Sequence, residues 1–75
     1  MRTTEVITAL SIETTDEELV IRLANREVRI RWERCSPILA AATADERRQA
    51  EFSPGGYGIH WPSLDEDLSI GGLVG

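Results

Sequence analysis

A chain of 75 residues, 41% of them hydrophobic and 28% charged, has room for one small domain with an apolar core. Its formal net charge is −5, from thirteen acidic residues against eight arginines and no lysine, which argues against direct binding to nucleic acid. No apolar run reaches the roughly 18 residues of a membrane span, no segment has the pattern of a signal peptide, and a lone cysteine excludes an internal disulfide. We therefore expect a single domain over residues 1–75 that is cytoplasmic and makes no membrane contact.

The first predicted element is a strand over residues 4–12. β-Branched side chains dominate this segment, and Val6, Leu10 and Ile12 recur on one face at a period of two. Polar residues 13–17 then predict a turn.

A hairpin follows, formed by two alternating segments, 18–24 and 27–33. The first places Leu19, Ile21 and Leu23 on one face. The second directs Val28, Ile30 and Trp32 inward and Arg29, Arg31 and Glu33 outward. The connection is Asn25-Arg26, and arginine does not favour the positive φ of a two-residue hairpin turn, so we expect a strained or longer turn.

Two short helices, or one kinked helix, are predicted over residues 37–50. Ser36 is a good N-cap, and Pro37 suits the first helical position. Thr43 and Glu46 have the spacing of a capping box, so a second helix begins at Thr43 and runs to about Ala50.

The last part of the chain predicts a turn, a short strand and an ambiguous closing element. Residues 53–56, Ser-Pro-Gly-Gly, break the chain. Residues 57–61 alternate, with Tyr57, Ile59 and Trp61 on one face, and Pro62 ends the strand. Ser69 is a candidate cap for a final helix, which two adjacent glycines weaken.

These elements predict an α+β fold: a small, mainly antiparallel β-sheet of three to four strands with short helices packed on one face. The core is expected to consist of Val28, Ile30, Trp32, Ile38, Leu39, Phe52, Ile59 and Trp61.

The segment from Gly58 to Leu73 is the most distinctive part of the sequence. Its Ile-His-Trp-Pro, followed after two residues by Asp-Glu-Asp and a short apolar segment, resembles the end of the bacterial domain of unknown function 2442 family. The hairpin, the Pro-bearing turn into a helix, and Ala42-Thr43 followed by Arg47 are also similar to that family's pattern. The resemblance implies an α+β fold with no established catalytic residues. Some relatives carry a helix-turn-helix domain and others look like partners of small toxin-like proteins.

Three polar features are candidates for chemistry, and each has a simpler explanation. Residues 65–67, Asp-Glu-Asp, offer oxygen ligands for a divalent cation, but a solvated turn is the favoured interpretation. His60 is a candidate general base or a histidine at the sheet surface beside those carboxylates. Cys35 precedes a helix N-terminus, yet a lone cysteine is more often a small core residue. We therefore predict no enzymatic activity, no cofactor and no metal.

The sequence favours a small acidic protein-interaction module. Its partner is expected to be a protein with a basic surface, and the setting that the resemblance suggests is the antitoxin-like subunit of a toxin–antitoxin pair. An alternative is a nucleic-acid mimic whose two acidic clusters, 16–18 and 65–67, enter a cationic channel. The sequence also allows a dimer formed through a sheet edge. The candidate binding residues are His60, Asp65, Glu66, Asp67, Arg22, Arg29 and Arg31, the arginines being expected chiefly to neutralise neighbouring acids.

Overall fold

The computed structural model describes residues 7–75, which form two antiparallel three-stranded sheets joined by short helices. The first sheet contains β1 (Ser11–Thr14), β2 (Glu18–Arg22) and β3 (Glu27–Arg31), in that order. Helices α1 (Trp32–Cys35), α2 (Pro37–Ala41) and α3 (Ala44–Arg48) lead to the second sheet. That sheet has the order β4 (Glu51–Phe52), β5 (Gly58–Trp61) and β6 (Glu66–Ser69), and α4 (Ile70–Val74) follows it. The predicted α+β class is confirmed, although the strands divide between two sheets rather than joining in one.

The first strand begins later than predicted because the chain bulges at Leu10. The register pairs Ser11 with Arg22, yet the N–H of Leu10 also donates to the carbonyl of Arg22 (2.7 Å). Leu10 and Ser11 therefore both lie opposite Arg22, which is the arrangement of a β-bulge. The extra residue reverses the alternation, which buries Ala9 and leaves Leu10 71% exposed. The prediction that Leu10 shares the inward face with Ile12 is therefore wrong. Val6 and the start of the predicted strand lie outside the described residues.

The β2–β3 hairpin turns one residue earlier than predicted. The register and the bond from the Leu23 N–H to the Arg26 carbonyl (2.8 Å) centre the turn on Ala24 and Asn25. Neither residue has a positive φ, so the expected strain at Arg26 is absent from this turn. Arginine thereby avoids the left-handed conformation that it does not favour.

The helix caps are those that the sequence predicts. The Ser36 hydroxyl accepts the Leu39 N–H (3.1 Å), with Pro37 in the first turn of α2. Thr43 and Glu46 form the reciprocal capping box of α3 (3.1 and 2.9 Å). The structure adds α1, which the strand prediction over 27–33 missed, and ends α3 at Arg48 rather than Ala50.

Two tryptophans join the sheets and helices at the centre of the core. Trp32 and Trp61 are almost completely buried, and their rings meet edge-to-face at 6.4 Å between centroids. The indole N–H of Trp32 donates to the Thr15 carbonyl (2.9 Å), and that of Trp61 donates to the Arg47 carbonyl (3.0 Å). Each ring therefore buries its apolar surface while its one polar group is satisfied.

The predicted core is correct in part. Trp32, Leu39, Ile59 and Trp61 are buried, and Val28, Ile30 and Phe52 pack against them half-buried. Ile38 is 45% exposed because only the following residue, Leu39, reaches the core from the short α2. Tyr57 is 54% exposed because it precedes β5 instead of sharing its alternation. The predicted core omitted the buried residues Ala9, Leu19, Val20, Ile21 and Ile70.

A glycine contact anchors the second sheet to the first. The Ala9 N–H donates to the Gly56 carbonyl (2.8 Å), and Gly56 has a φ of 77°. A Cβ at Gly56 would lie 2.3 Å from the Ala9 carbonyl oxygen, so both the backbone conformation and the close approach require glycine.

Candidate functional site

Strand register places a charged row across the outer face of the second sheet. Glu51 of β4 lies opposite His60 of β5, which lies opposite Asp67 of β6. Since Ile59 and Trp61 point into the core, the intervening His60 points outward. Its Nδ1–H donates to Oδ1 of Asp67 (2.6 Å). The imidazole therefore lies in a row with a carboxylate on each neighbouring strand.

A groove with a cavity volume of about 560 Å³ runs along this face beside the row. Its lining includes Gly58, the exposed Tyr57, His60 and Asp67. We call this feature the Tyr57 groove. A Cβ at Gly58 would lie 3.1 Å from the Leu68 carbonyl oxygen, which is tight enough to disfavour a side chain there.

The two serine hydroxyls in the Tyr57 groove serve the fold. Ser53 Oγ accepts the N–H of Gly58 (2.8 Å), and Ser69 Oγ accepts the N–H of Gly72 (3.0 Å) as the N-cap of α4. The cap that the sequence suggested at Ser69 is therefore present. Neither serine hydroxyl donates a hydrogen bond to a base within the described residues.

The sequence suggested that the acidic residues 65–67 form a single turn, but the structure divides them between two elements. Asp65 ends a 3-10 turn in the left-handed conformation (φ 52°), whereas Glu66 and Asp67 belong to β6. Glu66 lies opposite Trp61 on the inner face, and Asp67 points outward beside His60. Alternation thus separates the carboxylates, and residues 7–75 hold no group of three side chains that could bind a metal ion.

The arginines on the outer face of the first sheet all have acidic neighbours. Arg22 pairs with Glu13 (3.2 Å), and Arg29 pairs with Glu18 (3.2 Å) and Glu27 (2.9 Å). Arg31 contacts the exposed carboxylates of residues 17 and 33 at 4.0 and 3.6 Å. The pairs surround Val20, which lies on the same face and is nevertheless buried. This is the charge neutralisation that the sequence predicted, and these arginines are paired with glutamates of the same chain.

Charge is divided unequally between the two halves of the described chain. Residues 7–48 contain eight acidic residues and seven arginines, and are therefore nearly neutral. Residues 49–75 contain four acidic residues and no arginine: Glu51, Asp65, Glu66 and Asp67. Most of the net negative charge therefore belongs to the sheet that carries the Tyr57 groove.

Cys35 has the properties of a structural thiol. Burial raises its pKa to about 11; nearby Arg47 lowers the pKa and Glu33 raises it, both by less. A nucleophilic cysteine needs the opposite shift, toward the thiolate. His60 hydrogen-bonds Asp67 on the outer face of the second sheet, and no hydrogen bond joins it to Cys35 within the described residues.

Arg47 is the residue whose role the sequence analysis missed. Its Nε and Nη2 donate to the carbonyls of Leu39 and Ala40 (2.9 Å each), which end α2. Its guanidinium also lies 5.4 Å from the centroid of the Trp32 ring. The side chain thus caps one helix and covers a core tryptophan. The only signal for it was its position after Ala42-Thr43 in the family-like pattern.

The comparisons with known proteins establish the family. The model of the family described as "Protein of unknown function (DUF2442)" matches residues 9–75, so the chain belongs to that family, as the closing motif had indicated. No curated protein matches the sequence. None of the helices within residues 7–75 is long and apolar enough to cross a membrane.

Two solved structures share the fold. A crystal structure of a protein of unknown function from Rhodospirillum rubrum is 27% identical, with a TM-score of 0.74 over 89% of this chain and 83% of that one. A solution structure of an uncharacterized protein from Chromobacterium violaceum is 33% identical, with a TM-score of 0.70 over 89% of this chain. The chain spans 63% of the length of the Chromobacterium protein.

Proposed function

We propose that this member of the DUF2442 family is a protein-interaction module that binds a basic segment of another protein in the Tyr57 groove. The observation that carries the proposal is the position of the exposed Tyr57 beside a row of carboxylates on a sheet that has no arginine. Tyrosine supplies a large rigid contact, and carboxylates bind guanidinium or ammonium groups. One arginine or lysine of the partner therefore meets both groups in the same groove.

The negative field of the second sheet supports a basic partner. The carboxylates of Glu51, Asp65 and Asp67 are exposed, and no arginine follows Arg48 in the sequence. Complementary charge accelerates encounter, and salt screens that acceleration. We expect a variant with Asp65, Glu66 and Asp67 replaced by Asn, Gln and Asn to melt like the parent but to associate more slowly and with weaker salt dependence. Binding kinetics equal to those of the parent would contradict this role.

The finer proposal is that the partner is a small basic toxin-like protein and that this chain is its antitoxin-like subunit. It is supported by the acidic surface and by analogy with family members that look like partners of small toxin-like proteins. The nucleic-acid mimic has less support, because Glu17 and Glu18 of the first acidic cluster contact Arg31 and Arg29. A mimic needs both clusters free to meet cations of its target.

A direct test titrates the ¹⁵N-labelled protein with a ten-residue peptide of alternating arginine and leucine. The expected result is a set of amide shift changes centred on Tyr57, Gly58, His60 and Asp67. A peptide with glutamate in place of arginine should produce none. Changes confined to the first sheet, or equal changes with both peptides, would refute the proposed site.

Two variants refine this test. Tyr57→Ala should weaken peptide binding at least tenfold, the effect of removing about 1.4 kcal/mol of contact energy, while leaving the fold intact because Tyr57 is exposed. Ile38→Ala is the matched control, since Ile38 is similarly exposed but lies in α2 outside the groove. Equal losses in both variants would count against the Tyr57 groove.

A further inference from the structure

A second concave feature lies between the free edges of the two sheets. One depression of about 440 Å³ is lined by Arg29, Arg31 and Arg34, and an adjoining one of about 360 Å³ by Asp67; the two share Leu73. We call the pair the charged trough. One wall is basic, the other carries the carboxylate of Asp67, and the half-buried Leu73 lies between them. Asp67, Leu68 and Ser69 line both this feature and the Tyr57 groove, whereas Tyr57 lines only the groove.

Both walls of the charged trough are edges with open backbone groups. The N–H of Trp32 donates to the Glu17 carbonyl (3.3 Å), so by alternation the backbone groups of Arg29 and Arg31 in β3 point away from β2. The N–H of Ile70 donates to the Tyr57 carbonyl (2.8 Å), and the same alternation turns the backbone of Asp67 away from β5. Open edges of this kind favour pairing with another chain.

Side-chain charge on the basic wall is only partly neutralised. Arg29 and Arg31 contact glutamates of their own sheet, whereas Arg34 of α1 forms no salt bridge within residues 7–75. On the opposite wall the carboxylate of Asp67 is 76% exposed, and its contact in this structure is with His60. The trough thus presents an available cation and an available anion on opposite sides of an apolar floor.

We propose that the charged trough is the interface of a two-fold dimer with a second copy of this chain. In a two-fold interface each contact occurs twice, so that the basic wall of one copy meets the acidic wall of the other and the reverse. Arg34 of each copy then faces Asp67 of the other, and the edges of β3 and β6 are covered. Opposite charges on the two walls make the surface complementary to itself, which a surface of one sign is not.

The test is a charge exchange followed by sedimentation over a concentration series. The parent should show a monomer–dimer equilibrium that weakens as salt increases. Arg34→Glu and Asp67→Arg should each weaken the dimer about tenfold or more, because each places like charges together twice. An equimolar mixture of the two variants should restore a heterodimer, since glutamate at 34 then meets arginine at 67 and the native pair forms at the second contact.

Matched controls separate the contact from net charge and from the Tyr57 groove. Arg26→Glu and Asp16→Arg make the same charge changes outside the trough and should leave the dimer unchanged. Asp67→Asn removes the anion that faces His60 without adding a cation, and should weaken the dimer less than Asp67→Arg. Tyr57→Ala should not affect dimerisation, so loss of peptide binding and loss of the dimer are separate outcomes. A parent that is monomeric at every concentration, or a mixture that fails to associate, would overturn the proposal.

Discussion

Replacing Trp61 with alanine should remove a large part of the stability of this domain. Trp61 is fully buried, contacts Trp32 edge-to-face at 6.4 Å and donates its indole N–H to the Arg47 carbonyl at 3.0 Å. Deleting a buried tryptophan costs about 3–5 kcal/mol, from the lost transfer energy and the cavity that remains. A domain of this length has a total stability of about 4–11 kcal/mol, so at the middle of both ranges Trp61→Ala should remove about half of it.

Urea denaturation, followed by far-UV circular dichroism, measures this loss directly. Trp61→Phe separates the contributions, because it keeps an aromatic ring and leaves the Arg47 carbonyl without its donor. We expect Trp61→Phe to cost about 1–3 kcal/mol, the desolvation penalty of an unpaired buried acceptor. Tyr57→Ala is the surface control and should stay within about 0.5 kcal/mol of the parent. A Trp61→Ala protein with near-parental stability would refute the position of this ring in the core.

Three further predictions test other parts of the structure. Arg47→Met should lower the free energy of unfolding by about 2–3 kcal/mol in urea denaturation, because it removes two charge-assisted hydrogen bonds to the end of α2. Arg47→Lys should not restore this stability, because lysine lacks the planar guanidinium that donates both bonds. Cys35 should react slowly with iodoacetamide at neutral pH, because its folded-state pKa is raised from 9.0 to about 11. The same shift means that its contribution to stability should be present below pH 9 and be lost as the pH rises to 11. Cys35→Ser should abolish that decline in stability. Asp65→Ala should lower the melting temperature, by the equivalent of about 1 kcal/mol, whereas Asp65→Gly should not, since aspartate and glycine tolerate the left-handed conformation better than alanine does.

The local signals in the sequence predicted local structure well. The caps at Ser36 and Thr43 depend on residues within three positions of each other, so the pattern contains all that determines them. The alternation of β3 likewise placed Val28 and Ile30 inward, because burial on one face imposes a period of two. The family pattern at the end of the chain was also visible without structure, because it is a property of the residues themselves.

Features that depend on partners distant in sequence were not predictable. The bulge at Leu10 exists because its N–H donates to the carbonyl of Arg22, and nothing in the sequence of residues 7–12 predicts that partner. Strand β4 has two residues, too few for any periodicity, yet it places Glu51 opposite His60. The row of charged side chains on the outer face therefore became visible only with the register. The same limitation applies to Arg47, whose partners lie seven and eight residues away in another helix.

The unequal distribution of charge is the feature that links the fold to the proposed binding. Exposed ion pairs contribute about 0–1 kcal/mol each, so the arginines of the first sheet do little for stability and chiefly cancel the field of their glutamates. Equivalent arginines on the second sheet would cancel its field as readily, yet none is present after Arg48. Folding therefore does not require the second sheet to remain acidic. The charged surface beside the exposed tyrosine, next to a sheet whose charges are neutralised, is therefore the basis of the proposed encounter with a cationic partner.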